Sequence, residues 1–344
     1  MNRLGEAVPS DTRVWRWLQR WGISVASFVA GCLSLLVFRR GLPRVSVIIG
    51  YLLLVWLLFV VITVVQRPEA SRARRFVVTA TEYTIQTLFH GLLLFSLPAY
   101  YASATLTSVN AGFVLVILAL ALLATFDPWY RAAVEGRPYV RYVFLVVSTF
   151  AALALALPLV RVPPYVSLLL SAWISVLALA PAIQRARGWR PRQTLGVASA
   201  LAFSAAAFVG LFPALIPPVP LSLSRAVLTW SLNGLEPTGP LGSPVAAADL
   251  TKFGSVVAYT AIYAPQGVTQ GVVHVWRRDG KVVNVVPLSP VEGGRREGFR
   301  TFSRKSAFPA NPAGRWSVDV MTTSGQLIGR LSFRVEGAAT APPR

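Results

Sequence analysis

Cysteine, histidine, lysine and acidic residues are all scarce in this chain of 344 residues. It contains one cysteine, Cys32, two histidines, His90 and His274, and 13 aspartate and glutamate residues against 33 lysine and arginine residues. A single cysteine excludes an internal disulfide and a cysteine-rich metal cluster. Charged residues make up 13% of the chain. Because that share is about half of what globular proteins carry, a wholly soluble protein is excluded as well.

Apolar residues, by contrast, are abundant and occur in long runs. They account for 54% of the chain, and the mean hydropathy is +0.58. A helix of about 20 apolar residues crosses the hydrocarbon core of a bilayer. Stretches of suitable length lie at about 22–38, 45–65, 76–98, 105–126, 142–160, 163–183 and 195–216. The sequence therefore predicts that residues 1–220 form a multi-pass, all-α bundle of about seven transmembrane helices.

The arginines between these stretches predict an orientation. With a cytoplasmic N-terminus, the inner segments carry many more arginines than the outer loops. The inner arginines are at 3, 13, 16, 20, 67, 72, 74, 75, 131, 137, 141, 185, 187, 190 and 192. The outer arginines are at 39, 40, 44 and 161. Positive charge favours the cytoplasmic side, so we expect this orientation and a periplasmic C-terminal domain. The loop containing arginines 39, 40 and 44 disagrees with it. The preference for arginine over lysine suggests a bacterial source, and hence a bacterial inner-membrane protein.

The strong net charge does not by itself indicate a nucleic-acid partner. The chain carries a formal charge of +20, but most of that charge sits in short arginine clusters between apolar runs. Such clusters are typical of membrane loops rather than of a basic binding face, so we expect no nucleic acid. Arginine and tryptophan alternate over residues 13–21, which predicts an interfacial anchor, with a basic-aromatic nucleic-acid site as the alternative.

Residues 29–32, Val-Ala-Gly-Cys, match the cleavage box of a lipoprotein signal. The apolar run continues for several residues beyond Cys32, where a processed lipoprotein would turn polar. The segment that precedes the run is also unusually long for a signal peptide. We therefore interpret the match as a coincidence within a transmembrane helix.

Two of the predicted spans carry polar side chains at every fourth residue. These are Glu82, Gln86 and His90 in the third span, and Ser167, Ser171 and Ser175 in the sixth. Residues with this spacing share one face of a helix. Ionisable groups at membrane depth are costly and are functional candidates by default. We hypothesise that the two helices pack through these faces. We favour a purely structural role between helices, and the alternative is a conduction or proton-relay path.

The apolar periodicity changes beyond residue 220. Residues 221–250 contain an interfacial-looking stretch around Trp230 and a Gly/Pro-rich linker. Alternating strands are then predicted at about 254–264, 271–278, 281–288, 299–305, 315–323 and 326–335. Asp279-Gly280 and Ser324-Gly325 are predicted hairpin turns. We expect a small all-β, Ig-like sandwich over residues 251–337, followed by a disordered tail at 338–344.

Several motifs in this region resemble a known bacterial domain. They are HVW at 274–276, FRTFSRK at 299–305, GRWSV at 314–318, GQLIG at 325–329 and FRV at 333–335. Together they resemble the C-terminal domain of unknown function 2914, and the membrane part is similar to the family of unknown function 5924. The resemblance implies a fold and a membrane setting, but it implies no activity and no site residues.

Nothing in the C-terminal region predicts an enzyme. His274 is its only histidine, and the spacing of Ser303 and Asp319 matches neither a nucleophile elbow nor a catalytic triad. No cysteine, histidine and carboxylate cluster suits a metal ion. We therefore expect no cofactor, and we expect His274 to be a structural residue with its hydrogen bonds satisfied.

A run of positive charge is the most distinctive feature of the predicted domain. It consists of Arg295, Arg296, Arg300, Arg304 and Lys305, five positive residues in eleven positions. Such a patch could bind anionic headgroups, lipopolysaccharide phosphates or acidic cell-wall polymers. The alternative is an edge strand that is kept soluble by its charges.

The sequence thus favours an inner-membrane protein that displays a periplasmic domain for ligand or partner binding, in a scaffold or sensor role. The expected partners are the lipid bilayer and either anionic envelope components or another membrane protein. A transporter or channel that uses the polar faces of the third and sixth spans is the alternative. A membrane-embedded enzyme ranks third, because Glu82 and His90 are the only titratable groups deep in the predicted spans.

Overall fold

The N-terminal part of the chain is helical. The computed structural model describes residues 52–61, 72–134 and 137–337. Its helices are α1 (Leu52–Val61), α2 (Arg72–Ser103), α3 (Ala111–Thr125), α4 (Asp127–Val134), α5 (Pro138–Ala156), α6 (Pro164–Leu177), α7 (Ala180–Arg187) and α8 (Pro191–Leu211). The first predicted span, the N-terminal Arg/Trp segment, the Val-Ala-Gly-Cys box and the C-terminal tail lie outside the described residues.

Among the described residues, three helical segments are long and apolar enough to cross a membrane. They are Pro138–Val160, Pro164–Arg187 and Pro191–Leu211, and the bent pair of α3 and α4 makes a fourth if it is counted as one span. These segments confirm long apolar helices at the fifth, sixth and seventh predicted stretches. The third predicted stretch lies on α2, whose 32 residues form a helix that is less apolar because Glu82, Gln86 and His90 interrupt it.

Strands occupy the C-terminal part of the chain. They are β1 (Ser222–Asn233), β2 (Glu236–Pro240), β3 (Val245–Ala246), β4 (Val256–Tyr263), β5 (Thr269–Gln270), β6 (Val272–Arg278), β7 (Lys281–Pro287), β8 (Val291–Glu292), β9 (Phe299–Lys305), β10 (Gly314–Thr322) and β11 (Leu327–Glu336), with the short helix α9 (Ala247–Phe253) after β3. All six predicted strands are confirmed. Both predicted hairpin turns join antiparallel neighbours, β6 to β7 and β10 to β11.

The stretch 221–250, predicted as an interfacial segment and linker, is instead part of the sheet structure. β1 pairs with β2 through a hairpin and with β4 along most of its length. The apolar alternation of β1 is hidden in the sequence because the register shifts between Leu223 and Arg225. A bulge of this kind adds one residue to the strand and moves the following side chains to the other face.

Nine of the described strands form two sheets that share one hydrophobic core, and β5 and β8 pair with each other in a separate two-stranded sheet. The first sheet has the order β2-β1-β4-β9, and the second has the order β3-β11-β10-β6-β7. The first contributes Val256, Ala258 and Ile262 to the core, and the second contributes residues that include Trp276 and Trp316. Apolar side chains from the inner faces of both sheets therefore exclude water together, which is the main stabilising term of such a domain.

The chain divides into two compact units. Their boundaries do not coincide with residue 220, the predicted end of the transmembrane part. One unit holds the described residues up to Leu97 together with Leu115–Ala152 and Trp173–Phe203. The other holds Pro98–Val114, Leu153–Ala172 and Ser204–Arg344, so it combines helical segments with all of the strands.

Two buried hydrogen bonds attach the β10–β11 hairpin to the helical segments of the second unit. Asn110 Nδ2 donates to the carbonyl of Leu327 at 3.0 Å, and Gln326 Nε2 donates to the carbonyl of Ile216 at 3.1 Å. The side chains of Asn110 and Gln326 are both buried. Breaking either bond would leave a buried polar group unsatisfied, so the contact resists separation.

A buried polar network connects the two sheets inside the core. His274 on β6 is fully buried, and its Nε2 lies 3.1 Å from Thr260 Oγ1 on β4. Its Nδ1 lies 2.8 Å from Ser303 Oγ on β9, which also accepts a hydrogen bond from Trp276 Nε1 at 3.0 Å. Thr260 Oγ1 donates its proton to the carbonyl of Thr301 at 3.5 Å, so it accepts a hydrogen bond from Nε2, and Nδ1 accepts from the Ser303 hydroxyl. His274 is thus the satisfied, structural histidine that the sequence predicts.

The network has no catalytic geometry, although it brings a serine and a histidine together. Ser303 is 3% exposed, so a substrate has no route to its hydroxyl. Burial lowers the pKa of His274 from 6.5 to about 4, because a charged imidazolium is poorly solvated in the core. The neutral ring is the form that holds the two sheets together.

We expect acid to destabilise the protein through His274. Below pH 6.5 the unfolded chain binds a proton that the folded chain refuses until about pH 4. The free energy of unfolding therefore falls across this window, by about 3 kcal/mol in total. Thermal unfolding of the full-length protein in detergent, followed by near-ultraviolet circular dichroism from pH 7 to pH 4, measures the effect.

The matched variant is His274→Gln, which keeps one donor and one acceptor but does not titrate. Its unfolding temperature should fall less than that of the wild type over the same pH range. Equal acid sensitivity in both proteins would contradict the assignment of this titration to His274.

Candidate functional site

The polar face of α2 is engaged by neighbouring groups in its first half. Glu82 Oε1 lies 3.1 Å from Arg141 Nη2 on α5, and the two side chains form an ion pair. Gln86 Nε2 donates to the carbonyl of Ala124 on α3 at 3.0 Å. The carboxylate and the amide therefore hold helices together, as polar side chains between membrane helices commonly do.

His90 differs from the rest of the α2 face. The side chain is 2% exposed, and its Nε2 has no hydrogen-bond partner among the described residues. A buried ring nitrogen without a partner is costly, so its presence calls for an explanation such as a catalytic role or a bound water. His90 is thus the strongest candidate for chemistry on this helix.

The three serines on the sixth predicted span are all buried. Ser167 Oγ donates to the carbonyl of Val162 at 3.2 Å, and Ser171 Oγ donates to the carbonyl of Ser167 at 2.6 Å. These bonds go to the backbone of the same segment. Ser175 belongs to the first compact unit and the other two serines to the second. The hypothesis that these serines pack against the α2 face stays a prediction.

The predicted basic patch does not form one positive surface. Strand alternation along β9 sends Lys305 inward, where it is 6% exposed and its Nζ lies 5.7 Å from the ring centre of Phe308 and 5.8 Å from that of Trp316. Burial lowers the pKa of Lys305. A residue that packs in this way is unavailable to a ligand at the surface.

Other members of the patch are also occupied. Arg300 donates to Glu236 Oε1 at 2.9 Å and to Glu297 Oε2 at 2.7 Å, and these bonds raise its pKa. The Arg295 guanidinium lies 5.2 Å from the ring centre of Phe299. Since β9 lies at the edge of its sheet, the outward charges suit the alternative interpretation of a protected edge strand.

A second group of arginines lies on the outer face of the other sheet, and the sequence did not single it out. They surround a groove with a volume of about 520 Å³. Its lining residues are Ser243, Arg277, Gly280, Arg315, Trp316, Ser317, Arg330, Ser332, Phe333 and Arg334. β6, β10 and β11 supply the four arginines, so three neighbouring strands hold them in a fixed arrangement.

A buried carboxylate orients two of these arginines. Asp319 is 2% exposed, and its Oδ2 accepts from Arg277 Nε at 2.9 Å and from Arg330 Nη2 at 3.0 Å. The hydrogen bonds to Asp319 raise the pKa of Arg330, so this guanidinium stays charged. Arg277 and Arg330 are thereby locked side by side at one end of the groove.

The other two arginines face each other. Arg315 on β10 and Arg334 on β11 are directly opposite in the strand register. Both are exposed, and neither guanidinium has an ion-pair partner in the part of the chain that the structure describes. Like charges in directly opposed positions destabilise a sheet, so this pair works against the fold.

The alternation of basic and hydroxyl residues was the signal that could have revealed this groove. The outward positions of β10 begin Arg315, Ser317, and those of β11 run Arg330, Ser332, Arg334. The register that brings these positions of neighbouring strands together cannot be read from the sequence alone. Within residues 52–61, 72–134 and 137–337, no group of three histidine, cysteine or acidic side chains could hold a metal ion.

Comparison with known proteins identifies two families and no individual relative. The model of the Family of unknown function (DUF5924) matches residues 6–254, and that of the Protein of unknown function (DUF2914) matches residues 269–335. No curated protein and no solved structure matches the chain. The resemblance stated from the motifs is confirmed. The DUF5924 match ends at residue 254, after β3 and α9, and the DUF2914 match begins at residue 269. The hydrophobic core of the β domain therefore contains residues from both matched regions. The chain belongs to the DUF5924 family and carries the DUF2914 region at its C-terminal end.

Proposed function

We propose that this protein is a multi-pass bacterial inner-membrane protein that displays its C-terminal β domain in the periplasm as a binding module. In this proposal about seven helices cross the membrane, the N-terminus is cytoplasmic, and the C-terminal strands form an Ig-like sandwich. The domain binds a ligand or partner of the cell envelope and acts as a scaffold or sensor.

Charge and apolarity support the membrane arrangement. Three described helical segments have the length and composition of transmembrane helices. The arginines at 185, 187, 190 and 192 lie around the junction of α7 and α8. The stretch 99–110, which covers the end of α2 and the loop before α3, contains none. This asymmetry favours a cytoplasmic α7–α8 loop and a periplasmic α2–α3 loop.

The attachment of the β10–β11 hairpin carries the functional part of the proposal. Asn110, in the α2–α3 loop, and the Ile216 carbonyl, just after α8, both bond to this hairpin. A domain that is merely tethered would need no such buried contacts. A domain fixed to helix ends transmits a change at its surface to those helices, which is what a sensor or scaffold requires.

We expect a periplasmic C-terminus. An alkaline phosphatase fused after Arg344 should be active, because the enzyme requires the oxidising periplasm, and a fluorescent protein fused at the same residue should be dark. The matched control is the same pair of fusions after Gly188, in the predicted cytoplasmic loop. There the phosphatase should be inactive and the fluorescent protein bright.

A fluorescent C-terminal fusion with an inactive phosphatase would contradict the proposed topology. In that case the number of spans would be even, and the β domain would face the cytoplasm. The first predicted hairpin, with arginines 39, 40 and 44 on its outer side, is where the count would change.

A transporter or channel is the second candidate function, and His90 is the observation that favours it. Its Nε2 is buried without a partner among the described residues, as a proton-relay group would be between transfers. Against it, the neighbouring Glu82 is already paired with Arg141. A relay needs titratable groups along a path, and the sequence of α2 contains one carboxylate and one histidine.

The transport candidate predicts proton movement that depends on His90. Wild-type protein in liposomes with an internal pH-sensitive dye should dissipate an imposed pH gradient faster than empty liposomes do. Glu82→Gln and His90→Ala should each slow the rate of dissipation at least about tenfold, as expected for removal of a proton-transfer group. His274→Gln is the control, since it removes the other histidine. Wild-type liposomes no faster than empty ones would eliminate the candidate.

A further inference from the structure

We propose that the groove on the outer face of the five-stranded sheet binds a small, soluble, phosphate-bearing polyanion. The site is formed by Arg277, Arg315, Arg330 and Arg334, with the hydroxyls of Ser317 and Ser332 between them. It is distinct from the basic run on β9, which belongs to the other sheet.

The charge balance of the groove favours a multivalent anion. Four guanidiniums line it, and Asp319 is the carboxylate that pairs with two of them, those of Arg277 and Arg330. Asp279 lies near one end, but its Oδ1 accepts from the Arg315 backbone amide at 2.9 Å and its Oδ2 lies 3.7 Å from Arg278 Nε. The groove therefore holds a positive excess that a ligand with several negative charges would neutralise.

The geometry matches phosphate. Guanidinium groups offer paired N–H donors that bind two oxygens of a phosphate at once. Ser317 and Ser332 are directly opposed in the register, one step from the Arg315–Arg334 pair, and Arg277 lies opposite Ser317 on the neighbouring strand. The two hydroxyls can therefore donate to further oxygens. Because Asp319 already fixes Arg277 and Arg330, little side-chain entropy is lost when a ligand binds there.

The like charges of Arg315 and Arg334 lower the stability of the unliganded β domain. Arg315 and Arg334 face each other across β10 and β11 with no carboxylate partner among the described residues. Their repulsion is relieved when an anion lies between them. The volume of about 520 Å³ falls in the range of small-molecule sites.

The location of the groove favours a soluble ligand over a lipid headgroup. The hairpin contacts the helical segments at Gln326 and Leu327, next to its turn. Arg334 lies seven residues further along β11. At about 3.3 Å per residue this is about 23 Å from the helix contact. The ends of the helices, where headgroups would lie, are therefore far from the opposed arginines.

Pyrophosphate is the probe for the test, and the full-length protein in nanodiscs of zwitterionic lipid is the sample. Calorimetric titration at about 0.15 M ionic strength keeps unspecific surface charge screened. We expect saturable binding to the wild type. The double variant Arg315→Gln/Arg334→Gln should bind about 100-fold more weakly, since each lost charged contact is worth about a factor of ten.

The matched control is Arg296→Gln/Arg304→Gln, which removes the same charge from exposed residues outside the groove. It should bind pyrophosphate as the wild type does. Because the groove variant removes a repulsive pair, its unfolding temperature without ligand should not fall, so weaker binding cannot be attributed to misfolding. Equal binding by both double variants, or no binding to the wild type, would overturn the proposal.

Two further arms fix the class and source of the ligand. Malonate, a dicarboxylate of similar size, should bind at least about tenfold more weakly than pyrophosphate, given its lower charge. Equal binding would overturn the assignment to phosphate.

Nanodiscs containing phosphatidylglycerol should leave pyrophosphate binding unchanged, and loss of binding there would indicate that headgroups occupy the groove. The inference rests on the proposed binding role of the β domain. The titration does not depend on which side of the membrane the domain faces. A negative titration is therefore distinguishable from a wrong topology.

Discussion

The alternation of side chains along β10 and β11, which is regular where Gly314–Val320 pairs with Gly329–Val335, is the constraint on which the rest of the β domain depends. Inward residues such as Trp316, Val318 and Phe333 fill the core between the two sheets. The outward residues between them line the arginine groove. The turn that joins the two strands bonds to the helical segments of the same unit. One hairpin thus links core, groove and helices, and a shift of register by one residue would exchange the two faces.

The interior of the β domain and its outer face differ in how their polar and basic side chains are partnered. In the core, His274 is held neutral and every polar atom of its network has a partner. On the outer face, Arg315 and Arg334 remain charged and opposed. A sheet selected for stability alone would not place two guanidiniums opposite each other. The contrast supports a binding role for the outer face and a structural role for the core.

Local patterns allowed much of the fold to be predicted. Regular alternation marked the six main strands, and Asp279-Gly280 and Ser324-Gly325 marked their turns, because both signals act over a few neighbouring residues. β1 escaped prediction because its alternation is broken by the register shift after Leu223 and its partner β4 is distant in sequence. Long-range pairing of this kind leaves little local trace.

The candidate sites were harder to predict for the same reason. Residues 295–305 looked like one basic patch because the charges are adjacent in the chain, but adjacent residues of a strand face opposite sides, and Lys305 turned out to be buried. The arginine groove draws on three strands, so its members are scattered in the sequence. Glu82, Gln86 and His90 lie on one helix, as expected from their local spacing, but the ion pair of Glu82 with Arg141 depends on packing.

The central claim is that the β domain is fixed to the helical segments by its hairpin, and hydrogen exchange of the full-length protein with Asn110→Asp tests it most directly. This change keeps the oxygen that accepts from Thr105 and Ser108 but removes the donor to Leu327. The account predicts faster exchange in residues 322–329 with no change in β4, and no effect from the exposed control Asn233→Asp. Unchanged exchange in the hairpin of the Asn110→Asp protein would contradict it.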